Sequence, residues 1–174
     1  MEIRRMTRVV TLAAAIATAA SPAVLRAQES GELDGYHGLF GSLGVGMGAI
    51  DCFNDLGCYK VFAANFRFGT RISRHVGLAL GAEGFAADEV SAGLLSAQLL
   101  FYPTGKDMFA VVGAGVANAN EGSPSAGLTF GIGYDIPLNK RRTVALTPYV
   151  GLVLTTVSDP DWNFIYAGLG ITWK

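Results

Sequence analysis

The sequence predicts an all-β protein: an eight-stranded antiparallel up-and-down transmembrane β-barrel. Three observations predict it. Hydrophobic residues make up 51% of the 174-residue chain and charged residues only 16%, whereas an ordinary soluble domain carries about 25% charged residues. Beyond residue 27 no apolar stretch approaches the roughly 20 residues of a spanning helix. Eight segments instead alternate apolar with small or polar residues at the period of a strand. A chain this apolar without a spanning helix must hide its apolar surface another way. A barrel closed in lipid does so, because its backbone polar groups pair between strands.

Residues 1–27 read as a secretory signal. Arg4, Arg5 and Arg8 form a basic start, residues 9–20 carry no charge, and Ser21-Pro22 breaks the run before a cut after Ala27, with Ala23 the second choice. The twelve apolar residues are too few to span a membrane. What remains is one domain of 147 residues: a lead-in over 28–38 and the barrel over 39–174. The mature chain has 9 bases and 13 acids, so no basic excess favours nucleic acid.

The strands are expected at 39–49, 61–72, 75–86, 92–102, 109–117, 125–136, 143–155 and 163–173. In the first, Leu39, Leu43, Val45 and Met47 oppose Ser42, Gly44, Gly46 and Gly48. In the second, Phe62, Ala64, Phe66 and Phe68 oppose Asn65, Arg67, Gly69 and Arg71, and in the third Val76, Leu78, Leu80 and Ala82 oppose Gly77, Ala79, Gly81 and Glu83. The fourth and seventh have apolar residues on both faces. The fifth carries the Gly113/Gly115 pair. The sixth alternates most cleanly, with Ala126, Leu128, Phe130, Ile132, Tyr134 and Ile136 against Gly127, Thr129, Gly131, Gly133 and Asp135. The eighth sets Ile165, Ala167, Leu169, Ile171 and Trp173 against Tyr166, Gly168, Gly170 and Thr172. A water-facing surface would need many more charges than the polar faces hold. A narrow interior filled by small residues and paired charges suits them.

Sorting the connections by parity separates charge. The odd ones hold Asp51, Asp55, Asp88, Glu89, Glu121, Asp159 and Asp161 against Lys60; the even ones hold Arg74, Lys106, Lys140, Arg141 and Arg142 against Asp107. In an up-and-down meander alternate connections share an end, so one end is acidic and the other basic. The even connections are mostly shorter, which places the basic end and both termini in the periplasm and the acidic loops outside.

Cys52 and Cys58 bracket five residues of the first odd connection. In an oxidising compartment such a pair forms a disulfide, and no further ligands point to a metal. Asn65, Arg67, Arg71, Glu83, Gln98 and Asp135 are expected to form an interior polar network, because an unpaired charge in a narrow lumen is expensive. The glycine pairs match no phosphate-loop pattern. Tyr36, Phe101, Tyr102, Tyr134, Tyr149, Trp162, Phe164, Tyr166 and Trp173 gather towards strand ends, where aromatic girdles form, although Tyr149 and Tyr166 lie further in. His37 and His75, with Ser42 and Ser73 nearby in sequence, lack a nucleophile motif, so neither an enzyme nor a cofactor is expected.

The ending Tyr166, Gly168, Ile171 and Trp173, the strand pattern and the mature size resemble small OmpA-like and OmpX-like outer-membrane barrels. The segments 131–137 (GIGYDIP) and 147–151 (TPYVG) are similar to hairpins of that family. The resemblance implies that the terminal strand is a signal read by the barrel assembly machinery, with Lys174 overhanging it by one residue. The expectation is therefore a monomeric, non-enzymatic barrel of the bacterial outer membrane. It would lie in lipid and lipopolysaccharide and have a structural or surface-interaction role. A narrow channel and a secreted lipocalin-like carrier are the alternatives; the carrier would turn Phe66, Phe68, Leu128 and Phe130 inward around a ligand.

Overall fold

A computed structural model describes residues 38–50, 59–86, 91–119, 124–155 and 163–174. Nine strands are formed by these residues: β1 Gly38–Ile50, β2 Tyr59–Arg71, β3 Val76–Ala86, β4 Ser91–Phe101, β5 Met108–Ala119, β6 Ser125–Tyr134, β7 Ile136–Pro137, β8 Val144–Thr155 and β9 Phe164–Trp173. Each pairs antiparallel with its neighbour, β1 pairs with β9, and β6 and β7 both pair with β8. Thus β6 and β7 are one stave, and the barrel closes with eight. The break between them has a local cause. Gly133 faces Tyr149 and Ile136 faces Leu146, so in the same register Tyr134 faces Pro148, which has no N–H to give the ladder. On its other side the ladder to β5 runs on, with Asp135 N–H donating to the Asp107 carbonyl at 3.0 Å.

Register fixes the shape. Stepping across partners from Phe40 leads through Gly69, Ala79, Gln98, Gly113, Thr129, Val153 and Phe164 to Ile50. One circuit therefore displaces the chain by ten residues along β1. Eight staves with this shear tilt by about 43° and enclose a radius of roughly 8 Å, which side chains just fill.

The two faces separate as the alternation predicts. Leu43, Val45, Met47, Phe62, Leu80, Leu95, Val116, Ile132 and Leu169 project outward and are exposed. Phe66, Phe68, Leu128 and Phe130 share that outward row, which is not the arrangement of a carrier with an apolar interior pocket. From Phe62 on β2 to Ile72, the residue just past its end, the outward row covers a height of about 24 Å at this tilt, close to the lipid-facing band of a transmembrane barrel. Among the described residues no helix is long and apolar enough to cross a membrane.

The aromatic residues differ from the sequence expectation. Phe101, Tyr134 and Trp173 lie on the outer face near the even-connection end, as a girdle would. Tyr102 and Phe164 point inward and are buried, as are Tyr149 and Tyr166. Parity explains it: Tyr102 follows outward Phe101, and Phe164 shares the inward row of Tyr166. Tyr36 and Trp162 lie outside the described residues.

Candidate functional site

The barrel interior and its two ends are where the candidate residues lie. The inward faces build a layered filling. At the odd-connection end, Ile50, Val61, Ala63, Phe85, Ala92, Leu94, Ala117, Val153 and Phe164 form one buried apolar cluster, with Tyr149 and Tyr166 reaching it from deeper in. Phe164 sits edge-on to Phe85, with ring centroids 4.8 Å apart. The expectation of a polar lumen did not include this apolar filling, and Phe164 was expected at a rim girdle instead. At the even end a smaller cluster joins Phe40, Ala79, Leu100, Tyr102, Phe109 and Val111.

Between the clusters runs a polar belt contributed by four strands. Glu83 on β3 is its centre and is 3% exposed. Gln98 Nε2 on β4 donates to Glu83 Oε1 at 3.2 Å and also to Ser96 Oγ at 3.0 Å. Thr129 Oγ1 on β6 donates to Glu83 Oε2 at 2.7 Å. Arg67 on β2 stands 4.0 Å from Glu83 Oε1, with its guanidinium 5.7 Å from the centre of the Phe109 ring. Asn65, register partner of Glu83, is buried beside it. Burying both ions requires such partners, since a lone buried charge costs several kcal/mol or more.

Asp135 is not part of that belt. It accepts from Thr147 Oγ1 at 2.8 Å and pairs with Lys174 Nζ at 2.7 Å. Thr147 meets Thr172 at 2.8 Å, and Thr172 donates to Ser42 Oγ at 3.1 Å. This second chain ties β8, β9 and β1 together at the even end. The part played by Lys174 was not legible in advance, because its partner lies 39 residues away in sequence. Arg71 belongs to neither group. Its guanidinium stacks 3.6 Å above the Tyr102 ring and donates to the Lys106 carbonyl at 2.6 Å. The six expected network residues therefore fall into three settings rather than one.

Inward glycines make room for these side chains. A Cβ at Gly44 would lie 2.6 Å from Tyr149 Cε1 and 2.7 Å from Asn65 Oδ1. On the outer face, a Cβ at Gly41 would fall inside the Trp173 indole. One small cavity of about 10 Å³ lies between Ser42, Arg67, Tyr102 and Asp135, room for about one water. Ser73 and His75 are committed to their turn: Ser73 Oγ accepts from the Val76 N–H at 3.1 Å, and His75 Nδ1 lies 2.9 Å from the Tyr102 carbonyl. Among the described residues no cluster of His, Cys, Asp and Glu is arranged to hold a metal. Cys52, Cys58 and all seven acids of the odd connections lie outside the described residues.

No family model matches the chain, and no curated protein matches it. Solved structures do. Neisserial surface protein A superposes with a TM-score of 0.63 at 14% identity, covering 78% of this chain and 96% of that one. Ail, the attachment invasion locus protein of Yersinia pestis, gives a TM-score of 0.50 at 13% identity, with 77% and 97% covered. The fold is that of small eight-stranded outer-membrane barrels.

Proposed function

We infer that the protein is a non-conducting barrel of the bacterial outer membrane, non-enzymatic, with a structural or surface-interaction role. The observation that carries this reading is the filled lumen. Apolar side chains of the Phe164 cluster pack one end of it, and the Phe40 cluster with the Arg71–Tyr102 stack packs the other. Such a barrel leaves its outer belt and its ends as working surfaces. Neisserial surface protein A and the attachment invasion locus protein, both of this fold, bear names that refer to the cell surface and to attachment.

Residues 1–27 would direct export, and the terminal strand with Tyr166, Gly168, Ile171 and Trp173 would be read by the assembly machinery. The even end then faces the periplasm. The loops with Asp51, Asp55, Asp88, Glu89, Glu121, Asp159 and Asp161 face outward, the first pinned by a Cys52–Cys58 disulfide. There these acids would bridge lipopolysaccharide phosphates through divalent cations. The chain works as a monomer.

Purified, refolded protein in planar bilayers tests the core of this reading. Silence at all voltages is expected, and discrete conductance steps would overturn it. The loop assignment is tested by D51N/D55N/D88N/E89Q. Cells carrying it should lose part of their cation-dependent resistance to detergent, and unchanged resistance counts against the bridge.

A further inference from the structure

Three turns close the even-connection end, at residues 72–75, 102–107 and 138–143, and they are fastened to one another. The Arg74 stem lies against Gly105, whose φ is 64°; a Cβ there would come within 2.7 Å of Arg74 Cγ. Arg71 holds the Lys106 carbonyl, and Arg142 pairs with Asp107. Within the third turn, Asn139 Oδ1 accepts the Thr143 N–H at 2.9 Å, Asn139 Nδ2 donates to Thr143 Oγ1 at 2.7 Å, and the Arg142 N–H donates to the Asn139 carbonyl at 3.0 Å. Arg142 takes φ 57°, a left-handed conformation uncommon outside glycine. The strained residue is the one whose side chain crosses to the neighbouring turn.

This bracing fixes what the end displays. Lys140 and Arg141 stand exposed at the tip of one turn, and Lys106 on the next. The acids among the described residues of this end, Asp107 and Asp135, are already engaged by Arg142 and Lys174. In the first and third of these turns, at the margin of the apolar belt, Ile72 and Leu138 are 48% and 57% exposed. A cation above an exposed aliphatic side chain at this level matches one kind of molecule, with an anionic head and an apolar tail.

We propose that the even-connection end is a rigid basic platform that binds the phosphate headgroups of anionic phospholipids in the leaflet it abuts. This rests on the membrane-barrel reading. Lys106, Lys140 and Arg141 meet the phosphates, while Ile72 and Leu138 lie along the first acyl carbons. A free phosphate would satisfy only the bases. Near an anionic lipid surface each base strengthens association roughly fivefold, and the attraction falls with salt as the Debye length shortens.

The test uses the mature chain folded in neutral detergent micelles. Native mass spectrometry measures affinity for phosphatidylglycerol and phosphatidylcholine at low ionic strength. A preference of at least roughly tenfold for phosphatidylglycerol is expected. It should collapse towards parity in K106Q/K140Q/R141Q and at high salt in the parent. K140Q/R141Q alone, confined to an exposed turn, keeps the test open if the triple variant does not fold, and should lose most of the preference. Equal affinity for both lipids in the parent overturns the proposal, as does a preference that survives both variants. Displacement of the lipid by millimolar inorganic phosphate overturns it in favour of a soluble-anion site. Parity between lipids together with base-dependent pelleting on peptidoglycan overturns it in favour of the cell wall. The lead-in carries Glu29, Glu32 and Asp34, so E29Q/E32Q/D34N is measured in parallel; parity there too removes self-masking as an explanation. Heat-modifiable gel mobility of each variant reports the barrel itself, so failure of the membrane reading shows separately.

Discussion

Leu80 projects from the middle of β3 with 65% of its surface exposed, and Leu138 projects from the even rim. The same substitution at the two positions measures where lipid lies. Leu80→Arg places a cation near the bilayer midplane and is expected to cost about 2–4 kcal/mol, whereas Leu138→Arg should cost about 0–1 kcal/mol. Urea unfolding of protein folded in vesicles gives both values, and equal costs would contradict the placement of the belt. Inside, Phe164 has no exposed surface and packs on Phe85 and Tyr166. Truncation leaves a cavity among side chains fixed to several strands, so Phe164→Ala should destabilise by about 3–5 kcal/mol in the same assay.

Between strands that meet in the interior, glycine and aromatic residues are matched. Gly44→Ala on β1 would force Tyr149 of β8 from its place, an overpacking that costs about 1–3 kcal/mol and is read as a lower urea midpoint. The Arg67–Glu83 contact links β2 and β3 within a belt that also includes Gln98 and Thr129. Arg67→Met or Glu83→Gln alone strands a buried partner and should cost about 3–5 kcal/mol. The double variant should cost clearly less than the two together, and additivity in the cycle would show that the pair is not coupled. At this scale much was legible from the chain. Each expected strand lies within two residues of an observed one or, for the sixth, of a stave, and the faces of β1, β2, β3, β6 and β9 follow directly from period-two alternation. Two things were not. The break after Tyr134 depends on Pro148 standing opposite, a pairing fixed only once the register is known. The apolar filling at the odd end needs Val61, Leu94 and Val153 to converge from separate strands, and each alone is an ordinary strand residue.

Across the molecule, the apolar band and the tilt set the membrane that fits. A belt of about 24 Å matches a thin bilayer, and mismatch costs a fraction of a kcal/mol per ångström. Refolding yield should therefore be highest in short-chain phosphatidylcholine vesicles and fall steadily as the acyl chains lengthen, with gel mobility as readout; a yield indifferent to chain length would argue against the belt height. The candidate network was legible as composition and parity but not as partnership. Arg71, Glu83 and Asp135 were all foreseen as inward charges, yet the shear of ten residues carries them to different heights, and each finds a different partner.

That same circuit closes at a seam lined by little but backbone, with Gly44, Gly46 and Gly48 facing Gly170, Gly168 and Tyr166. Such a smooth junction tolerates sliding by two positions, because every side chain would keep its face. Two fasteners at its end forbid it: the indole of Trp173 seated over Gly41 outside, and the Thr172 hydroxyl on Ser42 inside. A two-residue slip would drive the indole onto the side chain of Leu39 or Leu43 and strand the hydroxyl. The final turn of assembly is thus a key that enters one lock, and the last two residues of β9 decide whether the cylinder shuts true.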